Sequence, residues 1–131
     1  MPAVDVVDST WICARPSAVA AAVAEPSNWR RWWPDLALEV EEWRGEKGVR
    51  WSVQAPKHRA VGTMEVWLER ARDGVVAHYF LRLDAAGGRQ MSRRRRVRCA
   101  DSARRRVKQV FWALADDLDP GRLARLAPPD A

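Results

Sequence analysis

The chain has 131 residues, of which 47% are hydrophobic and eight are tryptophan, so we expect one folded domain and exclude a disordered chain. No apolar run approaches the ~20 residues of a membrane-spanning helix, and the first residues lack the basic flank of a signal peptide, so we expect a cytoplasmic protein. The net charge of +6 is uneven, because residues 89–131 carry 12 Lys/Arg and 5 Asp/Glu while the preceding residues are nearly neutral.

Cysteine and histidine are too few and too scattered for a metal motif. The sequence has Cys13 and Cys99, together with His58 and His78, and none of them shows CxxC or HExxH spacing. We therefore expect two reduced thiols, no bound metal and no other cofactor.

The first third of the chain shows the signals of one strand followed by two short helices. The predicted elements are a strand over Val4–Cys13, a helix over Ala18–Ala24 and a second helix over Trp29–Trp33. Pro16 or Ser17 starts the first helix and Pro26 ends it. Ser27 or Asn28 is expected to cap the second helix.

Four segments then alternate between apolar and polar residues with the period of two that is typical of strands. They are Leu36–Trp43, Val49–Gln54, Gly62–Glu69 and Val75–Leu83. Because their connections are short, we expect an antiparallel sheet with one apolar face. The alternation places Trp43 and Trp67 on the other face, where they either form a homodimer contact or are covered by long arginine side chains.

From Gln90 to Leu118 the period becomes helical, and arginines occupy most of the polar positions. The apolar stripe consists of Val97, Ala100, Ala103, Val107, Val110, Phe111, Leu114 and Leu118. The early arginines oppose the helix dipole, so an alternative is a helix that begins near Ala100 and leaves them extended. Residues 122–131 are expected to form a flexible tail.

The order of elements predicts how the apolar face of the sheet is covered. Only the C-terminal helix is long enough to cross a sheet, since its residues would span about 40 Å at 1.5 Å per residue. We expect a curved sheet to wrap around this helix. Any gap left between them would be an apolar cavity, closed on one side by the tryptophan-rich segment Asn28–Asp35.

Three segments carry a resemblance to a known family. They are Ile12-x-Ala14-x-Pro16-x-x-Val19, Trp29-x-x-Trp32-Trp33-Pro34 and Arg104–Leu118. On these segments the chain resembles the START-like (SRPBCC) superfamily and is most similar to its bacterial polyketide cyclase/dehydrase branch. The resemblance implies an α+β helix-grip fold, in which a curved antiparallel sheet of five or more strands surrounds a long C-terminal helix. The family usually has six strands after the two small helices, whereas four are predicted here, so we expect a reduced cavity.

In such a fold a small apolar ligand, aromatic or polyketide-like, lies between the sheet and the long helix. The residues expected to line its site are Trp33, Leu38, Val40, Trp51, Val53, Met64, Val66, Tyr79, Leu81, Val107, Phe111 and Leu114. The alternative is that most of them are ordinary core residues. The polar groups that could orient a ligand are Tyr79, Thr10, Asp8 and the indole of Trp33.

Two further functions compete with ligand binding. A cyclase or dehydratase would need a general acid or base, for which Tyr79 and Asp8 are the candidates, although Asp8 has no obvious partner in the sequence. Alternatively, Arg93–Arg106 could bind nucleic acid or another acidic partner, or could simply be a solvated helix face.

Overall fold

A computed structural model describes residues 2–119 and 121 of the chain. In these residues the regular structure consists of one antiparallel five-stranded sheet, three α-helices and three short 3-10 helices, and the strand order is β1-β5-β4-β3-β2. The elements are β1 (Val4–Ile12), α1 (Pro16–Ala24), α2 (Pro26–Trp32), β2 (Ala37–Trp43), β3 (Gly48–Ala55), β4 (Ala60–Ala71), β5 (Gly74–Ala85) and α3 (Arg93–Leu118). The predicted α+β helix-grip architecture, with a curved sheet and a long final helix, is confirmed. The expected tail at 122–131 lies outside the described residues.

The period of two in the sequence sets the two faces of the sheet. Alternate residues of β4 and β5, such as Met64 and Tyr79, are buried on the inner face that α3 covers. In β1, Asp8 pairs with Tyr79 across the ladder, so its side chain lies on the same face. The sheet also needs glycine at close backbone contacts: Gly48 has φ 114°, and a Cβ there would lie 1.9 Å from the Val66 carbonyl oxygen.

A β-bulge in β2 changes the face on which Trp43 lies. The register of β2 against β3 shifts between Val40 and Glu42, so Trp43 pairs with the buried Val49. Its ring packs against Trp29 with centroids 5.8 Å apart. The prediction of Trp43 on the outer face was therefore wrong, because strict alternation does not include the extra residue of a bulge.

Trp67 lies on the outer face, as its alternation predicts. It is 39% exposed, and its ring lies 5.4 Å from that of His78 on β5. The outer face also exposes Val7 and Trp11 of the edge strand β1.

The two short helices are joined more tightly than the sequence predicts. Pro26 is the first residue of α2 rather than a terminator alone, and Glu25 caps this helix by accepting from the Ser27 backbone N–H at 3.2 Å. The expected capping role of Ser27 or Asn28 was wrong. Asn28 instead donates its side-chain amide to the Ala22 carbonyl at 2.8 Å, and this bond ties α2 to the end of α1.

The long helix α3 begins at the arginine run. Its N-cap is Ser92, whose hydroxyl accepts from the Arg95 backbone N–H at 3.2 Å, so the alternative start near Ala100 was wrong. The predicted stripe is also shifted, because Val97 is 52% exposed and Cys99 is buried in its place. The helix runs closely along β1, and its other buried residues are Val107, Val110, Phe111, Leu114 and Ala115.

Candidate functional site

A chain of aromatic rings connects the tryptophan-rich segment to the sheet and to α3. Trp33 follows α2 directly, and its ring lies parallel to that of Tyr79, with centroids 6.2 Å apart and an interplanar angle of 20°. Tyr79 in turn meets Phe111 of α3 edge to face at 6.4 Å. Trp33 also contacts Trp51 of β3 at 5.8 Å. These pairs fix the separation between the sheet and the helix, because rings in such arrangements attract one another beyond their apolar burial.

Beside this aromatic chain, a cavity of about 370 Å³ remains between the sheet and α3. Its walls are mostly apolar, and they come from all three parts of the fold. The loop after α2 supplies Trp33, Pro34 and Leu36, the sheet supplies Ala55, Tyr79, Leu81 and Leu83, and α3 supplies Cys99 and Ala103.

Only some of the residues expected at the site reach this cavity. Trp33, Tyr79 and Leu81 line it. Of the others, Leu38 and Val40 are half-buried on β2, and the remainder lie in the surrounding core, namely Trp51, Val53, Met64, Val66, Val107, Phe111 and Leu114.

Two polar side chains border the apolar part of the cavity. Tyr79 lines it and is 1% exposed. Burial raises the pKa of Tyr79, with smaller contributions from Cys99 and Asp8, so the hydroxyl stays protonated and can donate. The indole N–H of Trp33 is buried without an acceptor among the described residues. An unpaired buried donor is unfavourable, and a ligand oxygen would satisfy it.

Asp8 and Thr10 are held outside the cavity by α3. Lys108 reaches down from the helix and pairs with the Asp8 carboxylate at 3.0 Å, and its ammonium lies 3.4 Å from the Thr10 hydroxyl. This partner could not be predicted from local patterns, because Lys108 is 100 residues away from Asp8 along the chain. The pair joins β1 to α3, and neither Asp8 nor Thr10 lines the cavity.

The entrance of the cavity is cationic, which the sequence analysis missed. The exposed side of the cavity is lined by Lys57 and His58, from the short turn between β3 and β4, and by Arg98, Arg105 and Arg106 of α3. On α3 these arginines share one side with Ser102, since positions three, four, seven and eight apart lie together on a helix. The spacing was readable in the sequence, whereas the turn that completes the entrance was not.

Two titratable groups at the cavity respond to burial and charge. Burial first, and then Arg95, Lys57 and Arg98, lower the pKa of His58, which favours the neutral imidazole. Arg95 also donates to the His58 carbonyl oxygen and fixes the turn against the helix. Burial raises the pKa of the Cys99 thiol, although Arg95 opposes this, so Cys99 is a neutral, apolar part of the wall.

Two other properties complete the description of the site. In residues 2–119 and 121, no cluster of three His, Cys, Asp or Glu side chains could hold a metal ion. None of the helices in that part of the chain combines the length and the apolar character that crossing a membrane requires.

Solved structures with similar folds are found at low sequence identity. The Aha1 dimer from Colwellia psychrerythraea is 14% identical, with a TM-score of 0.61 over 90% of this chain and 98% of that one. CalU16 from Micromonospora echinospora is 11% identical, with a TM-score of 0.63 over 92% and 79% of the two chains. ChR145 from Cytophaga hutchinsonii is 11% identical, with a TM-score of 0.56 over 92% and 97%. The sequence matches no protein-family model and no curated protein. These similarities show that the chain shares its overall fold with these structures.

Proposed function

We propose that this protein acts in the cytoplasm as a single helix-grip domain that binds a compact apolar molecule, aromatic or polyketide-like. The observation that carries the proposal is the cavity of about 370 Å³ between the sheet and α3. A solid interface would have no place for a guest, whereas this one leaves a space walled by Trp33, Tyr79 and Leu81.

The size of the cavity favours a small ligand. Ligand sites usually have volumes of roughly 300–1,000 Å³, so this one is at the lower end of that range. The four strands after α2, in place of the usual six of the resembling family, agree with a narrow space. A compact ring system therefore fits the cavity better than a long acyl chain does.

The unpaired Trp33 donor favours a ligand that carries an oxygen acceptor. Trp33 and Tyr79 line the same space, so a carbonyl or ether oxygen there could accept from the Trp33 indole N–H or the Tyr79 hydroxyl. The flat faces of Trp33 and Tyr79 also match the faces of an aromatic ligand.

Tryptophan fluorescence tests the proposal. Titration with naphthalene methanol, a neutral aromatic probe, is expected to change the emission of the wild type in a saturable manner. Trp33→Phe should lose most of that change because Trp33 lines the cavity. Trp67→Phe on the outer face is the matched control and should keep it. An unaltered response in Trp33→Phe would place the probe elsewhere.

A second candidate, a cyclase or dehydratase of the polyketide cyclase/dehydrase branch, is supported by one observation. His58 and Tyr79 border the same cavity, so a base and a proton donor could face one ligand. Neutral His58 would remove the proton next to a ligand carbonyl, while the Tyr79 hydroxyl would donate to the developing enolate oxygen. Asp8 has no part in this scheme because it pairs with Lys108.

Turnover separates the two candidates. A cyclase predicts that Tyr79→Phe and His58→Gln each lose conversion of a linear polyketone while probe binding persists. A binding protein shows no conversion in the wild type.

The outer face supports a further proposal, a homodimer. Trp67, Trp11 and Val7 are each at least 39% exposed there, and the similar Aha1 structure is that of a dimer. Trp67→Lys would then lower the molar mass measured by light scattering to that of a monomer. The proposal is wrong if the wild type is already monomeric at high concentration.

Binding of nucleic acid receives less support from the structure. Some arginines of Arg93–Arg106 already have partners within the protein, since Arg95 donates to the His58 carbonyl oxygen and Arg104 pairs with Asp101 at 3.2 Å. These two are less available to a nucleic-acid phosphate than unpaired arginines would be. Affinity for duplex DNA that falls steeply with salt would support this function over the others.

A further inference from the structure

The entrance of the cavity concentrates positive charge at the point where an apolar ligand would end. Lys57 lies on one side, and Arg98, Arg105 and Arg106 lie on the other. Asp35 is the one carboxylate among the residues lining the described cavity. These cations would form no ion pair with an entirely apolar ligand.

The arginines at the entrance differ from those on the sheet in their partners. In the strands and beside them, several arginines pair with carboxylates: Arg44 with Glu42 and Glu65, Arg50 with Glu41, Arg70 with Glu46, and Arg82 with Asp5. At the entrance, Lys57 pairs with Asp35 at 3.4 Å. Within the described part of the chain, Arg98, Arg105 and Arg106 have no carboxylate within salt-bridge distance.

The positive potential at the entrance affects the pKa of the neighbouring His58 side chain. Cations at positions 57, 95 and 98 each lower the pKa of His58, which sits in the turn at the entrance. A positive potential of this kind, next to low-dielectric walls, attracts an anion more strongly than an isolated surface arginine does.

We propose that the ligand of this cavity is an amphiphilic anion, with its apolar part against Trp33 and Tyr79 and a carboxylate or phosphate group between the arginines of the entrance. The inference rests on the proposed binding function and specifies the ligand class. Arg105 and Arg106 supply planar guanidinium donors, which suit both carboxylate and phosphate oxygens. A single anionic group at the entrance leaves the small cavity for the apolar part.

The test compares matched probes and matched variants at low salt. The probes are naphthalene carboxylate, naphthyl phosphate and neutral naphthalene methanol, each titrated by calorimetry. The wild type is expected to bind the anions about tenfold more tightly than the alcohol, as charge-assisted hydrogen bonds at a partly exposed site allow. Either order of carboxylate and phosphate supports the inference and identifies the preferred anion.

The variant R105Q/R106Q should lose most of the anion preference while it still binds the alcohol. The control variant R89Q/R94Q removes the same two charges from exposed positions outside the cavity and should keep the preference. Equal affinity for the alcohol and the anions would overturn the inference and leave the proposed function intact. A preference that survives in R105Q/R106Q would also overturn it. Failure of all three probes to bind would overturn both.

Discussion

Replacing Ala103 with phenylalanine distinguishes a true cavity from a packed core. Ala103 lies on α3 and lines the cavity, so the new ring would enter empty space. Burying a phenylalanine side chain contributes about 1.5–3 kcal/mol, of which about 0.7 kcal/mol is offset by the poorer helix propensity of phenylalanine. We therefore expect the free energy of unfolding of Ala103→Phe to rise by up to ~2 kcal/mol, and probe binding to be lost.

The matched control is Ala115→Phe on the same helix. Ala115 is 1% exposed and does not border the cavity, so the same ring would overpack the core and lower the free energy of unfolding by about 1–3 kcal/mol. Urea denaturation followed by circular dichroism measures both values. If Ala103→Phe is destabilised as much as Ala115→Phe, the space beside Ala103 is not available to a guest.

Three further results are expected from the same structure. Phe111→Ala should lower the free energy of unfolding, measured in urea, by about 3–5 kcal/mol, because Phe111 is 1% exposed and contacts Tyr79. A loss below 1 kcal/mol would contradict its place in the core. Ser92→Ala removes the N-cap of α3 and should lower the free energy of unfolding by about 1 kcal/mol. The melting temperature should then fall by roughly 3–5 °C. An unchanged melting temperature would mean that the helix begins elsewhere. In iodoacetamide labelling followed by mass spectrometry, the half-buried Cys13 should react before the buried Cys99. The raised pKa of Cys99 keeps its thiol protonated and therefore slow to react. Faster labelling of Cys99 would be inconsistent with its burial.

Much of the fold follows from local patterns that the sequence displays. The alternation in β2 to β5 and the short connections between them predicted the antiparallel sheet. The helical period after Gln90 predicted the long helix α3 that packs on its inner face. These patterns succeed because one buried face imposes the same period on every residue of an element.

The sequence-based predictions that were wrong concern the face of Trp43, the cap of α2 and the buried stripe of α3. In each case, local geometry that hydrophobic periodicity does not specify decides the outcome. The bulge in β2 places Trp43, which is still 56% exposed, on the face of Val49 and Trp29. The cap at Glu25 starts α2 earlier than the later polar residues suggest. On α3, the choice between Val97 and Cys99 depends on how the helix is rotated over β1, and hydrophobicity alone does not determine that rotation.

The site was less predictable than the fold because it depends on contacts distant in sequence. Inward alternation pointed to Tyr79 and Leu81 and the tryptophan-rich segment pointed to Trp33, and all three line the cavity. Neither signal separates cavity walls from filled core. The partner of Asp8 and the turn at His58 come close to α3 only after the chain folds.

The central claim is that the space between α3 and the sheet admits a guest. Isotope-filtered NMR of the labelled protein with naphthalene methanol tests it most directly. We expect intermolecular contacts from the probe to the methyl groups of Leu81, Leu83 and Ala103, and none to Val66, which lies in the core. Contacts confined to outer-face residues such as Val7, or no contacts at saturating probe, would contradict the account.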